Sequence, residues 1–454
     1  MANEEIHDEA LSKHLLSLKK KVDASIPAKI QKHTGQNQVR PEVPSLCLVP
    51  TWLRSQNREA YWPSTISIGP LHSFKKDKEK MAVKISYMRS LFDRTGASEA
   101  TERACMAAML RMEPNVRQCY IQAKLEEGLE LAQMMLIDGC FIVELLYKNY
   151  KQVKYDYNDP FLRNPSNYYA VQRDLVLLEN QIPFFVLEEL FSKTVGIITS
   201  AENNKPTLTN LVLSFFGDMM GMTQVGKQEI RYDTNPFHIL HLLHSRYMPS
   251  TEDQLNYKYE EVPAHKYSAT RLDMAGIKFQ ASKTYGDLFD IKFSTGFRCS
   301  CLCRGGSIEI PHFSIFESTE PLLKNLIAFE QSFPWVKSFF TSHAFLMDIL
   351  IDYGRDVELL EEAGVIDNYL GSSEAVCRVF NDICKNIAVP RHFLYGRLLK
   401  DVMNFCTPWQ VHLGTLMHNY FGNVWVRISV FAAFILFILT LLQTIYTMSS
   451  YYHI

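Results

Sequence analysis

Residues Ile428 to Met448 read ISVFAAFILFILTLLQTIYTM, with no charged side chain and with Gln443 as the one strongly polar residue. At a rise of about 1.5 Å per residue, some 20 helical residues cross the roughly 30 Å hydrocarbon core of a bilayer. Helices buried in soluble cores seldom run this long without a charge, so the stretch is read as a transmembrane helix. Trp425 precedes it, and Tyr446, Tyr451 and Tyr452 close it, as aromatic residues do at the two bilayer interfaces. The anchor is thus defined by Trp425, Arg427, Ile428 and Met448, with residues 449–454 as a short tail.

Arg427 abuts the span on its N-terminal side, with Arg397 and Lys400 further back, whereas Ser449 to Ile454 contains no Lys or Arg. The positive-inside rule then places the large N-terminal part in the cytosol. A tail this short implies insertion after synthesis, as in tail-anchored proteins. The opening MANEEIHDEA is acidic and polar, with no apolar run behind a basic start, so no secretory signal is expected. The near-sequon Asn164-Pro165-Ser166 carries the excluded proline.

The 454 residues are 47% hydrophobic and 21% charged, the composition of a folded globular chain. Binding to phosphates needs a basic face, and a net charge of -2 gives no reason to expect one, so no nucleic-acid partner is expected. The expected partners are the lipid bilayer and proteins that the sequence does not specify. The ten cysteines are scattered, mostly in apolar runs such as the one around Cys140, and read as buried free thiols.

Outward from the anchor, the chain reads as mainly α with a small β-sheet: one large helical domain over 47–427 and the terminal helix over 428–448. Leu11, Leu15, Leu18 and Val22 mark an amphipathic N-terminal helix, and Gln31 to Pro44 a linker, so 1–46 precedes the domain. Helical spacing predicts helices over Lys75–Arg94, Ala100–Met112 (closed by Pro114), Glu126–Tyr147, Asp174–Phe191 (with Pro183 starting or kinking its second half), Pro206–Phe216 and Pro236–Tyr247. Further helices are expected over Pro321–Leu350, Val357–Glu362, Ser373–Ile387 and from Arg391 to the span. Lys193–Lys205 reads as a loop. Strands are expected at Ile66–Ile68, Gly276–Phe279, Asp290–Phe293 and Ile308–Ile310. Gly139, inside an apolar helix, points to close packing.

Two clusters invite a chemical reading. His238, His241 and His244 share helical spacing, but isoleucine and leucines fill the positions between them and no HExxH accompanies them. They read as buried, hydrogen-bonded histidines rather than metal ligands. Cys299, Cys301 and Cys303 lack the CxxC pairs and fourth ligand of a zinc site and read first as an unusual cysteine-rich loop, with a redox or modification cluster as the sharper alternative. No GxxxxGK[ST], GxGxxG or GxSxG is present. Asp138 and Glu144 lie in apolar runs, where a carboxyl is either structural or catalytic. No catalytic, cofactor-binding or metal-binding residue is assigned, and neither a cofactor nor enzymatic activity is expected.

Val49-Pro50-Thr51-Trp52-Leu53-Arg54, Ala60-Tyr61-Trp62-Pro63, Ser67-Ile68-Gly69-Pro70-Leu71-His72 and Leu136-Ile137-Asp138-Gly139-Cys140-Phe141 resemble segments of the plant family called domain of unknown function 247. So do the run Arg173 to Leu187, Ala269-Thr270, Gly276 to Phe279, Leu326 to Gln331 and Asp356 to Leu360. Phe297 to Gly305, with the three cysteines, looks inserted relative to the family. The resemblance implies plant origin and a recognition or signalling role; in grasses, members at two loci act as pollen-side determinants of self-incompatibility. It carries over no catalytic residue. The expected function is a membrane-anchored recognition protein. The alternatives are a membrane-tethered enzyme working around Asp138, Glu179 or the histidines, and an adaptor assembling through Leu11 to Val22.

Overall fold

Apolar positions recurring every three to four residues dominate the chain, and they fold as helices. In the computed structural model the described residues are 44–72, 78–121, 125, 127–152, 159–217, 219, 235–249, 260–262, 267–282, 288–297, 304–389, 393–406 and 424–452. Helices α1 (Thr51–Arg54), α2 (Lys78–Asp93), α3 (Ser98–Cys119), α4 (Gly128–Tyr150), α5 (Pro165–Leu175), α6 (Phe184–Lys193), α7 (Val195–Ile198), α8 (Leu208–Phe216) and α9 (Ile239–Arg246) come first. Then come α10 (Ala269–Met274), β1 (Ile277–Ala281), β2 (Lys292–Phe297), β3 (Arg304–Ile310) and β4 (Phe313–Ile315). The remainder is α11 (Thr319–Ser332), α12 (Phe339–Leu350), α13 (Gly354–Glu362), β5 (Ile366–Asn368), α14 (Ser373–Ile383), α15 (Gly396–Phe405) and α16 (Val424–Tyr452). The chain is mostly helical with small sheets, as the sequence predicts.

Where the sequence reading draws one domain over 47–427, contacts group the described residues into two compact units of interleaved segments. The first takes in the described parts of Met1–Ser250, Phe316–Phe340 and Lys385–Ala388. Its centre is α4, which packs against α2, α3, α6 and α8. From Leu131 to Lys148 almost every side chain of α4 is buried, as expected of a helix apolar on all sides. Gly139 lets α6 approach closely there: a methyl at that position would sit 2.4 Å from Leu190 Cδ1 of α6, so the leucine would have to shift.

The second unit takes in the described parts of Thr251–Ile315, Thr341–Cys384 and Val389–Ile454. Its three-stranded sheet has the order β1-β3-β2, with β1 parallel and β2 antiparallel to β3. A separate parallel pair joins β4 to β5. Asp356, in the first turn of α13, accepts N–H bonds from Thr270 (2.7 Å), Asp352 (3.1 Å) and Tyr353 (3.0 Å), tying the start of α10 to that of α13. Two family-like segments, Ala269-Thr270 and Asp356 to Leu360, meet at this carboxylate.

Several expectations need correction. α3 does not close before Pro114 but runs through it to Cys119, because Met106 and Met109 on one side and Val116 and Cys119 on the other are all buried. Asp174–Phe191 is two helices, with 176–183 non-helical between them and Pro183 at the start of the second. Proline disfavours the α region for the residue before it, here Ile182. The predicted loop Lys193–Lys205 contains α7, and Pro321–Leu350 divides into α11 and α12. Ile66–Ile68 pairs with no strand. Phe297, Arg304 and Gly305 belong to paired strands (Phe297 faces Arg304), so the ends of the apparent insertion are part of the sheet. Cys299, Cys301 and Cys303 themselves lie outside the described residues, as does the helix expected over Leu11–Val22.

Candidate functional site

The family-like segments of the first unit converge on a buried polar clasp around residues 44–72. Leu46, Val49, Leu53, Ile66 and Ile68 of this stretch are buried, yet beyond short helical turns it has no regular ladder to satisfy its backbone. Buried N–H groups need partners, and here side chains supply them. Asp174, at the end of α5, accepts from the N–H groups of Ser64 (3.2 Å), Thr65 (2.6 Å) and Ile66 (2.9 Å). Asn180 accepts from Ile68 N–H (2.6 Å) and donates to the carbonyls of Ile66 (3.1 Å) and Asp174 (2.8 Å). Asp138 of α4 accepts from Gly69 N–H (2.8 Å) and pairs with Lys84 Nζ (2.6 Å). Gly69 has φ +70°, and a Cβ there would sit 2.7 Å from the Gln181 carbonyl oxygen, so glycine is needed on both counts.

Glu179 holds the front of the stretch. Its Oε1 accepts from Val49 N–H (2.7 Å) and lies 3.3 Å from the Arg54 guanidinium. Its Oε2 lies 3.2 Å from His72 Nε2, near enough for an ion pair but not aligned for a hydrogen bond. Gln181 donates to the carbonyls of Leu175 and Leu177 and accepts from Leu240 N–H, and Asn325 of α11 bridges Leu178 N–H to the Ala60 carbonyl. The motifs within Val49–His72, Leu136–Phe141 and Arg173–Leu187 therefore meet in one clasp. Asp138 and Glu179 were identified from sequence, in a catalytic alternative. Asp174, Asn180, Asn325 and Lys84 were not, and the signal for them was polar residues interrupting otherwise apolar runs.

Burial pushes the Asp174 carboxyl above its ordinary value, against the three N–H bonds and Arg173 that pull it down. Burial likewise raises Glu144 on α4, although Ser90 (2.7 Å) and Arg94 (3.0 Å) donate to its Oε1; its Oε2 has no hydrogen-bond partner among the described residues.

The three histidines come together, His238 capping the start of α9 and His241 and His244 on it, and all are buried, as expected. His238 accepts from His241 N–H (3.2 Å), His241 Nδ1 accepts from Phe237 N–H (3.1 Å), and His244 Nε2 lies 3.0 Å from Glu330 Oε1. Phe329 packs against all three rings. Burial, with the neighbouring His241, holds His238 well below the usual imidazole range. Among the described residues no group of three His, Cys, Asp or Glu stands close enough to hold a metal ion. Cys47, Cys105, Cys119, Cys140, Cys377 and Cys406 are buried free thiols, and burial pushes Cys105 up to about 12 and Cys406 to about 11.

The predicted anchor forms one helix. Trp425, Ile428 and Met448 all lie exposed on α16, whose backbone also includes Arg427. Ile428–Met448, 21 residues, is long and apolar enough to cross a membrane, and none of it is buried against the rest of the chain.

The model of a plant protein family of unknown function, domain of unknown function 247, matches residues 46–439. The UPF0481 protein At3g47200 of Arabidopsis thaliana is 25% identical over 434 residues, covering 90% of this chain and 87% of that protein. A second UPF0481 protein of that plant, At3g02645, is 22% identical over 518 aligned positions, covering 93% of each. No solved structure matches. With the family model spanning the clasp, both units and part of the terminal helix, this chain belongs to the plant family of domain of unknown function 247.

Proposed function

We propose that Ile428–Met448 crosses a lipid bilayer and holds the rest of the chain at the cytosolic face as a non-enzymatic module that recognises another protein. The observation that carries this reading is the uncovered terminal helix. Phe431, Phe434, Leu436 and Phe437 are each exposed by about 60% or more, in a span with none of its residues buried. Monomeric soluble proteins seldom expose an apolar patch beyond a few hundred Å², whereas hydrocarbon is the natural solvent of such a cylinder. Arg427 on the N-terminal flank supports the cytosolic orientation.

The non-enzymatic part of the reading draws support from the clasp. A general acid or base must face a substrate, but Asp138, Asp174 and Glu179 are turned to backbone N–H groups and buried cations. A narrower form, a pollen-side determinant of self-incompatibility, rests on the family resemblance and predicts that the protein accumulates in pollen.

Topology is tested by glycosylation. Lys205→Thr completes an acceptor sequon at Asn203 in an exposed stretch, and a C-terminal extension carries a second sequon. In microsomes the extension alone is expected to be modified. Modification at Asn203 overturns the orientation, and modification of neither site removes the span.

A further inference from the structure

We infer that α16 pairs with α16 of a second copy of this chain, through the face that carries Gln443; the inference rests on the spanning reading just given. The polar side chains of the span behave in two ways. Ser429, Thr440, Thr444 and Thr447 each donate to the carbonyl four residues earlier, at 2.7–2.9 Å, and are satisfied within the helix. The Gln443 amide has no partner among the described residues.

An amide in hydrocarbon without a partner is costly. Nor is escape to the interface easy. Gln443 stands five residues, or about 7.5 Å, from Met448, and its Cβ tilts toward the helix N-terminus, away from that nearer end of the span.

The surroundings of Gln443 suit a second helix. Steps of four and three residues place Ser429, Ala432, Leu436, Thr440, Gln443 and Thr447 on one face. Phe431, Phe434 and Phe437 point elsewhere. Small side chains let two backbones approach closely, and amides bond across helices in membranes. The occupant follows from the amide itself. It carries two donors and an acceptor, so it is its own complement, and a parallel two-fold pair sets both copies at the same depth, each satisfying the other.

The test uses full-length chains carrying donor or acceptor fluorophores at their N-termini, reconstituted in phosphatidylcholine vesicles. Alkaline extraction is applied first to wild type and Gln443→Leu. Both are expected to stay in the membrane, since the substitution makes the span more apolar. Wild type should then show energy transfer that falls with lipid dilution, and Gln443→Leu an association about 5- to 30-fold weaker, the fold-change equivalent to about 1–2 kcal/mol for such a bond. Gln443→Asn should keep the transfer, and Phe434→Leu should leave it unchanged. A wild-type chain that washes out overturns the spanning reading and the pairing with it. A retained chain whose transfer is absent, or equal in wild type and Gln443→Leu, overturns the pairing and leaves the anchor standing. Transfer confined to native membranes and lost in pure vesicles assigns the face to a different membrane protein and likewise overturns the inference.

Discussion

Replacing Asn180 with leucine keeps the branching of the side chain but removes every hydrogen bond at the centre of the clasp; leucine is also bulkier, so Asn180→Asp, of nearly equal volume, is the companion that separates hydrogen bonding from packing. The side chain accepts from Ile68 N–H at 2.6 Å and donates to the Ile66 and Asp174 carbonyls. The Asp174 carbonyl also faces Leu177 N–H at 3.4 Å and keeps a partner. The Ile68 N–H and the Ile66 carbonyl lose theirs, and Ile66, Ile68 and Asn180 are all buried. At about 1–3 kcal/mol for each of the two orphaned buried groups, the change should cost roughly 2–6 kcal/mol, a large share of ordinary domain stability. The effect should concentrate in the stretch that Asn180 holds. Native-state hydrogen exchange of the full-length chain in detergent micelles reads it directly: amides 64–69 should exchange about a hundredfold faster, the rate ratio of about 3 kcal/mol. Asn180→Asp keeps the acceptor but turns an oxygen toward the Ile66 carbonyl, and should lose comparable protection. Exchange of 64–69 within about threefold of wild type in Asn180→Leu, with an unchanged melting temperature, would refute the clasp as the support of this segment.

Other outcomes follow from individual sites. Gly139→Ala drives a methyl into Leu190 Cδ1, and thermal unfolding should show a loss of about 1–3 kcal/mol, the usual size of overpacking. The Glu144 carboxyl is raised by burial, so its contribution favours the fold below the unfolded value near 4.5 and is lost as pH rises through the folded value. Glu144→Gln keeps an acceptor for Ser90 and Arg94, and melts across pH 4 to 8 should fall less steeply toward neutral pH than those of wild type. Burial also acts to raise Asp159, but bonds from Leu162 N–H, Tyr87, Lys148 and Phe161 N–H outweigh it and hold its carboxyl below the usual range. Its contribution is present above 3.8 and lost as pH falls through the folded value, so Asp159→Asn should flatten the acid limb of the same curve. Cys105 and Cys140, buried and with raised thiols, should resist a maleimide at pH 8 in the native chain and react in denaturant.

Much of this fold is written locally and could be read that way. The unbroken apolar run of Ile428–Met448, the all-round apolar pattern of α4 and the leucines between His238, His241 and His244 each carry their own periodicity. The strands expected at Gly276–Phe279, Asp290–Phe293 and Ile308–Ile310 fall in or beside β1, β2 and β3. The clasp is not local. Ile66 and Ile68 are buried, as their apolar side chains suggest, but their N–H partners are Asp174 and Asn180, 108 and 112 residues away. No periodicity announces a side chain that replaces a neighbouring strand. Pro114 misled for a similar reason: the lost helical hydrogen bond is a local cost, whereas the buried residues that carry α3 past it are set by tertiary packing. The break between Leu175 and Phe184 takes the Asp174, Leu175 and Leu177 carbonyls out of a continuous helix, and the Asn180 and Gln181 amides bond to them in its place.

The measurement that bears most directly on the account is membrane integration of the full-length chain. Wild type and a Leu436→Arg/Leu439→Arg double variant are synthesised with microsomes and extracted at alkaline pH. Two arginines near the middle of the span each cost about 2.5–3.5 kcal/mol of insertion. The account predicts wild type in the pellet and the variant in the supernatant. Wild type in the supernatant, or both chains in the pellet alike, would contradict the claim that Ile428–Met448 anchors this protein in a bilayer.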